Sequence, residues 1–250
     1  MSGHSKWSTI KRKKGAEDAK RGKIFTRLAR DLMLAAREGG GDPNSNPTLR
    51  TAFEKARAAN MPKDNIERAI KKGTGELAGD ELEEIMYEAY APHGIPVLIK
   101  CVTDNRNRIL ADLRKVFNRQ GGNLAEAGAV AWMFSTKGYI EIERDDHDPD
   151  EIFLLAVDAG ADDVDVGEEI IEIYTAADML HAVSTLLSDN GLSIQEAELM
   201  PIPNNEIELG HKETLQVMGV IESLEDLDDV QQVYSGLHIT DAVLAELEAA

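Results

Sequence analysis

The chain has 250 residues, of which 42% are hydrophobic, so it can bury a sizeable apolar core in one to three domains. No segment approaches the length of apolar sequence that a membrane span needs, and no apolar stretch follows the basic N-terminus as in a signal peptide. The single cysteine, Cys101, excludes an internal disulfide and a cysteine-cluster metal site, and its apolar neighbours predict core packing in a cytoplasmic protein.

The formal net charge of -19 hides an uneven distribution along the chain. Residues 1–73 carry 18 Lys and Arg against 8 Asp and Glu, whereas residues 74–250 carry 9 against 38. Because the acidic portion would repel phosphate, a polyanion would have to bind the N-terminal portion. A solvated basic surface without a ligand is the alternative interpretation.

Three helices are predicted in the basic portion, behind an extended or mobile arm of about fifteen residues. Apolar residues at three- and four-residue spacing predict a helix over 16–37. The pair Asn46-Pro47 predicts the start of a second helix that ends near residue 59, and a third helix over 63–72 ends at Gly73 as its C′ residue. One face of the first helix is basic, opposite its packing face, and consists of Lys20, Lys23, Arg27, Arg30 and Arg37.

Alternating strand and helix patterns are predicted in the acidic portion, beginning with a hairpin of strands 84–90 and 97–103. Residues 98–127 and 171–197 resemble each other weakly, as in a duplicated βαβ unit with an antiparallel sheet. The remaining predicted elements are helix 107–119, strands 130–134 and 139–143, helix 149–159, strand 169–174, helix 177–188, strand 193–200, helix 213–222 and strand 230–239.

The candidate nucleic-acid-binding residues are mainly the cations of the N-terminal portion, whose binding would release condensed counterions from phosphates. Trp7 could stack on an unpaired base or fasten the arm to the first helix. In this portion the candidates are Lys6, Trp7, Lys11, Arg12, Lys13, Lys14, Lys20, Arg21, Lys23, Arg27 and Arg30.

A second basic cluster, Arg106 and Arg108, lies where a predicted strand ends and a helix begins. The free N–H groups and the helix dipole at such a position favour anion binding, so both arginines join the candidate site. The alternative, which we favour, is that they pair with surplus carboxylates of the acidic portion.

No motif indicates catalysis, a cofactor or a metal ion. In the acidic segment 145–150, a calcium loop would have Glu151 in place of its glycine, so Asp148 is predicted to be a helix N-cap. The histidines are scattered without zinc-ligand spacing, and Gly22-Lys23 lacks the rest of a phosphate-binding loop. We therefore expect a protein that is not an enzyme and has no cofactor.

Several long motifs occur along the chain, namely GHSKW at 3–7, IK at 10–11, DAKRGKIFT at 18–26, NMPKDNI at 60–66, TDNRNR at 103–108 and VAWMF at 130–134. Together they resemble the motifs of the YebC/PmpR-type transcriptional regulator family. The resemblance spans the chain, although Pro92-His93-Gly94 stands where a Pro-Gly-Gly turn is usual.

The resemblance implies an α+β protein with an N-terminal three-helix domain and two small ferredoxin-like α+β domains, one inserted in the other. The expected boundaries are 1–76, then 77–136 with 206–250, and 137–205 for the insertion. Family members are described as cytoplasmic DNA-binding regulators of transcription. A mitochondrial relative activates translation, and bacterial members have been linked to ribosomes.

The leading hypothesis is therefore a non-enzymatic DNA-binding regulator of transcription, without a membrane partner. The alternative replaces DNA with ribosomal RNA or tRNA, on the ribosome itself. A sensor of a small effector and a metal-dependent phosphodiesterase are the remaining hypotheses, of which the phosphodiesterase has the weakest support.

Overall fold

The computed structural model describes residues 17–78, 82–144, 147–167, 170–240 and 243, but not the side chains of residues 17–21. The chain divides into two compact units. The smaller unit consists of residues 132–206, and the larger combines the residues up to Ala131 with those from Ile207 onward. The finer division of the larger unit into two domains stays a prediction.

The larger unit begins with the three predicted helices, α1 (Glu17–Gly39), α2 (Pro47–Ala58) and α3 (Lys63–Gly73). The predicted N-cap is confirmed, because the Asn46 side chain accepts a hydrogen bond of 3.1 Å from the Leu49 N–H. The same amide donates to the Ala35 carbonyl at 2.7 Å, which ties α2 to the end of α1. These helices share a core of Leu32, Ala35, Ala36, Leu49, Ala52, Ala56, Met61, Ile66 and Ala69.

Gly73 does not have the predicted role of C′ residue. It is the last residue of α3, Thr74 is the C-cap, and the positive φ of 80° belongs to Gly75. A Cβ on Gly73 would lie 2.4 Å from the Met33 carbonyl oxygen. Glycine is needed here because α3 packs directly against the backbone of α1.

The sheet of the larger unit contains the predicted antiparallel hairpin, β1 (Glu83–Tyr90) and β2 (Pro96–Thr103). Its strand order is β3-β1-β2-β9, with β3 at Asn123–Leu124 and β9 at Val230–Ser235. Helices α4 (Arg106–Gln120) and α7 (His211–Glu225) cover the face that carries Val97, Ile99 and Cys101. Strands β8 (Ile207–Glu208) and β10 (Leu237–His238) form a parallel pair.

The smaller unit has the βαββαβ order of a ferredoxin-like domain. Its antiparallel sheet has the order β5-β6-β4-β7 and a separate core that includes Ile140, Ile142, Ile171 and Ile173. The elements are β4 (Phe134–Glu143), α5 (Pro149–Ala159), β5 (Ala161–Val166), β6 (Ile170–Ala176), α6 (Leu180–Asp189) and β7 (Ile194–Pro203).

The predicted strand 130–134 is wrong. Ala131–Met133 form a 3-10 turn in which Trp132 is 68% exposed, and β4 starts only at Phe134. Strand β4 then continues through Gly138, where a Cβ would lie 2.3 Å from the Thr175 hydroxyl. Strand β5 was not predicted because its sequence, ADDVDV, is rich in aspartate, which is depleted in strands overall although charge suits an exposed edge strand.

Two local predictions are confirmed. The Asp148 carboxylate accepts a hydrogen bond from the Asp150 N–H at 3.0 Å and caps α5. Cys101 is fully buried in the core of the larger unit. This burial, together with the negative charge of Asp229, raises the pKa of its thiol to about 12, so the thiol stays protonated at neutral pH.

Candidate nucleic-acid interface

The basic face of α1 lies against an acidic turn that follows α7, contrary to the expectation that only the apolar side of α1 packs. We define the basic face by its described side chains, Lys23, Arg27, Arg30 and Arg37, and the acidic turn as residues 225–229. The sequence of this turn, EDLDD, contains four acids in five residues. Both sides of α1 are therefore packed.

Three cations of the basic face have acceptors in the acidic turn. The Lys23 ammonium lies 3.0 Å from an Asp226 carboxylate oxygen, and the Arg27 guanidinium donates to the Glu225 carbonyl. Arg30 donates to the Asp228 carbonyl and, at 2.6 Å, to the carboxylate of Asp229. Glu225 is the last residue of α7 and Asp228 lies just beyond it, where the last backbone acceptors lack intrahelical donors and the helix dipole is negative.

Asp229 is the centre of this contact, with a side chain only 5% exposed. One carboxylate oxygen accepts from Arg30, and the other accepts from the Thr103 hydroxyl at 2.9 Å and from Arg108 at 2.7 Å. Its backbone carbonyl accepts from the Val102 N–H at 2.8 Å. A single buried carboxylate therefore joins α1, β2 and α4.

Burial affects Arg27 as well. Removal of the guanidinium from water lowers its pKa from the ordinary value, against the opposing charges of Glu225 and Asp226. Arginine remains charged at neutral pH even so, because its ordinary pKa lies far above 7. The negative groups of the acidic turn offset the cost of burying this cation.

Arg106 and Arg108 form the ion pairs that the second interpretation of this cluster predicts. Arg106 pairs with Glu83, and Arg108 pairs with both Asp104 and Asp229. Hydrogen bonds to Asp229 and Asp104 raise the pKa of Arg108, and the bond from Arg108 lowers the pKa of Asp104.

The N-terminus of α4, which could otherwise bind an anion, is already capped by a side chain. The Asn105 side chain accepts from the backbone N–H groups of Asn107 and Arg108, at 3.1 and 3.0 Å. An anion at this helix end would have to displace this cap. Binding of a phosphate by Arg106 and Arg108 stays a prediction.

Most of the predicted arm lies outside the described residues. This holds for Lys6, Trp7, Lys11, Arg12, Lys13 and Lys14. Lys20 and Arg21 belong to α1, but their side chains are not described. Of the candidates that are described, Lys23, Arg27, Arg30 and Arg108 are brought together at the acidic turn.

The exposed side of α3 carries three cations that are not among the predicted binding residues. Arg68, Lys71 and Lys72 are exposed on the side opposite Ile66 and Ala69, which are buried. None of the three forms an ion pair with another residue that the structure describes. The helical period of this segment, combined with its charge, was the signal that could have identified them.

The described part of the chain contains no cluster of three or more His, Cys, Asp or Glu side chains placed to hold a metal ion. Asp146, the first position of the calcium loop that the sequence argued against, lies outside the described residues. No helix within the described ranges has the length and apolarity to cross a membrane.

Comparison with known proteins gives consistent matches over the whole chain. Residues 5–76 match the family model described as the TACO1/YebC protein N-terminal domain, and residues 82–237 match the model of the TACO1/YebC second and third domain.

Similar proteins from Thermotoga maritima and Fervidobacterium nodosum are each named "Probable transcriptional regulatory protein". The first is 49% identical, with 99% of this chain and 98% of the relative covered. The second is 51% identical, with 100% and 97% covered. A crystal structure of a conserved hypothetical protein from Aquifex aeolicus matches with a TM-score of 0.83 and 44% identity, covering 90% of this chain and 93% of that one.

Proposed function

This chain belongs to the TACO1/YebC family, and we propose that it is a non-enzymatic, DNA-binding regulator of transcription that acts in the cytoplasm. Membership confirms the resemblance seen in the sequence. The relatives bear the name of probable transcriptional regulatory proteins. Direct binding of nucleic acid is the part that we add.

The observation that carries the proposal is the separation of charge along the chain. Residues 1–73 have a large excess of Lys and Arg, whereas residues 74–250 have 38 acids against 9 cations. Taken as a whole, the acidic portion repels phosphate and the basic segment attracts it, so a nucleic acid approaches the basic end of the chain first. Each phosphate that is neutralised releases condensed counterions, which makes the affinity strongly dependent on salt.

The internal contacts suggest which cations contribute most to this binding. Lys23, Arg27 and Arg30 already have acceptors in the acidic turn and would have to exchange them for phosphate. We therefore assign the main phosphate contacts to the basic residues preceding Gly22 and to the exposed side of α3. The assigned residues are Lys6, Lys11, Arg12, Lys13, Lys14, Lys20, Arg21, Arg68, Lys71 and Lys72.

A second candidate function places the same surface on ribosomal RNA or tRNA, as a translation factor. The exposed side of α3 favours it, because Arg68, Lys71 and Lys72 are suited to phosphates, which carry no sequence information directly. A helix that reads DNA bases presents several amides or bidentate arginines to the major groove, whereas α3 contains a single arginine. Co-sedimentation with ribosomes supports this second function, whereas protection of a defined DNA duplex supports the first.

The test measures the affinity of the full chain for a 30-base-pair DNA duplex and a 30-nucleotide RNA at several salt concentrations. With about six phosphate contacts, the log-log slope of affinity against salt is about -5 on the duplex. Replacement of Lys11, Arg12, Lys13 and Lys14 by Gln should reduce the steepness of this slope by about 3.6, which is about 0.9 for each of four contacts.

The matched control replaces four cations of the acidic portion by Gln, at Lys100, Lys137, Arg144 and Lys212. This control has the same change in net charge but should retain the original slope. An affinity that does not respond to salt, or an arm variant that binds like the wild type, contradicts the proposal.

A further inference from the structure

Helix α4 is an exception in the acidic portion of the chain. Of the nine Lys and Arg residues in 74–250, five lie on this helix, together with a single acid, Asp112. The first two, Arg106 and Arg108, are held by carboxylates. The remaining three, Arg114, Lys115 and Arg119, define what we call the basic ridge.

The basic ridge lies on the solvent side of α4. At about 100° per residue, its three side chains fall within an arc of about 140°, with Asn118 between them. The opposite side is the packing side, where Leu113 is fully buried and Phe117 is 3% exposed. All three cations and Asn118 are exposed.

None of the three ridge cations forms an ion pair with any other residue in the described ranges. This differs from Arg106 and Arg108 on the same helix, each of which has a carboxylate partner. Carboxylates outnumber cations several-fold in this portion of the chain. Unpaired cations are therefore not explained by a shortage of partners.

Folding of the helix does not account for the basic ridge either. Arg119 lies in the last turn, where a cation is favourable beside the negative end of the dipole, but Arg114 lies near the middle. Lys115 and Arg119 are four residues apart and repel each other. This concentration of charge is consequently better explained by a ligand than by the stability of α4.

We propose that the basic ridge is a second phosphate-binding surface, which holds the sugar-phosphate backbone of the same nucleic acid as the N-terminal segment. This inference rests on the proposed function. Arg114 and Arg119 are separated by about 7.5 Å along the helix axis, so they can contact different phosphates of one strand. Asn118 supplies an amide donor between them. Such contacts position a strand and do not read its sequence.

The test compares the full chain with the triple variant R114Q/K115Q/R119Q, using a 30-base-pair DNA duplex and a 30-nucleotide RNA as probes. On the duplex, loss of two to three contacts makes the log-log salt slope less steep by about 2 to 3, and on the single strand by about 1.5 to 2. We expect the affinity at physiological salt to fall about tenfold or more on the probe that matches the natural target.

A control variant, K137Q/R144Q/K212Q, loses the same charge from other parts of the acidic portion. Its affinity should stay within about twofold of the wild type, since these residues lie outside the proposed surface. The ridge side chains are exposed and unpaired, so the triple variant should keep its circular dichroism spectrum and melting midpoint. R114E provides a second variant, for which repulsion should weaken binding more than R114Q does.

The outcomes separate the two proposals. A wild-type protein that binds with strong salt dependence, together with a triple variant equal to the control on both probes, overturns the basic ridge and leaves the proposed function intact. A wild-type protein with no salt-dependent affinity for either probe contradicts the proposed function itself.

Discussion

Helices α1 and α4 are both rich in basic residues, but their charges have different surroundings. On α1, Lys23, Arg27 and Arg30 contact the acidic turn, so their charge is already compensated by acceptors of the protein itself. On α4, Arg114 and Arg119 are exposed and have no carboxylate partner among the described residues. The helix that the sequence marks as a binding element thus also holds the larger unit together.

The number of cations in a segment therefore does not give the charge available to a ligand. The partners of α1 are distant in sequence, since Arg27 and Glu225 are separated by 198 residues. A count of charges over residues 1–73 includes these cations but not the carboxylates that offset them. The charge available to a ligand depends on tertiary contacts. The following substitutions measure how much the cations of each helix contribute to the stability of the fold.

The largest effect is expected for Asp229→Asn. This change removes the negative charge that faces Arg30 and Arg108 in a site where the carboxylate is only 5% exposed. Loss of one partner from a buried ion pair leaves the other charge uncompensated, and we expect unfolding to become easier by about 3–5 kcal/mol. Chemical denaturation measures this free energy.

Asp228→Asn is the matched control for that change. Asp228 is exposed and contributes its backbone carbonyl to Arg30, which the substitution preserves. Its effect should stay within about 0.5 kcal/mol. If both variants were equally stable, the acidic turn would not hold α1, and the contrast with α4 would disappear.

The next effect is expected for Arg30→Gln. The side chain of Arg30 is 13% exposed and donates to both Asp228 and Asp229, whereas Asp229 keeps Arg108 as a partner after the change. Hydrogen bonds to charged groups predict a loss of about 1.5–3 kcal/mol in the free energy of unfolding. Denaturant titration of Arg30→Gln beside Arg68→Gln, an exposed cation on α3, tests this value.

A double-mutant cycle then tests whether Arg30 acts through Asp229. If the two residues are coupled, Arg30→Gln should cost clearly less in the presence of Asp229→Asn than in the wild type. Purely additive effects would show that Arg30 stabilises α1 by another route.

Local structure was predictable where neighbouring residues determine it. Asn46 and Asp148 could be identified as N-caps because the capping oxygen accepts a hydrogen bond from a backbone N–H only two or three residues later in the sequence. Strand β5 could not, because aspartates that disfavour a strand in general are tolerated at an exposed edge. Gly73 was misread since its requirement comes from the backbone of another helix.

The candidate site was predictable only in its charge. The sequence showed that the basic residues are concentrated before residue 74, and it offered ion pairing as one explanation of Arg106 and Arg108. It could not show that Asp229 gathers Arg30 and Arg108 at one point, because that contact requires β2, α1 and α4 to be folded together. The cations of α4 beyond its first turn were overlooked within a strongly acidic context.

A smaller effect is expected for Lys23→Gln, at the edge of the acidic turn. The side chains of Lys23 and Asp226 are 42% and 67% exposed, so water and salt screen their attraction. Exposed pairs of this kind contribute about 0.2–1 kcal/mol. Denaturation at low and high salt should show a small loss that vanishes at high salt. If Lys23→Gln lowered the free energy of unfolding as much as Arg30→Gln does, the strength of the contacts along α1 would not depend on their burial.

The smallest effect on stability is expected for Arg119→Gln. This variant tests most directly whether the cations of α4, unlike those of α1, contribute nothing to the stability of the fold. The helix dipole favours this cation in the last turn by about 0.3–1 kcal/mol, while repulsion from Lys115 costs about 0.2–0.5 kcal/mol. These terms nearly cancel, so the free energy of unfolding should change by less than about 0.5 kcal/mol. If denaturant titration showed that the free energy of unfolding falls by more than about 1 kcal/mol, Arg119 would stabilise the fold as Arg30 does. The charge of the basic ridge would then be explained by stability and not by a ligand.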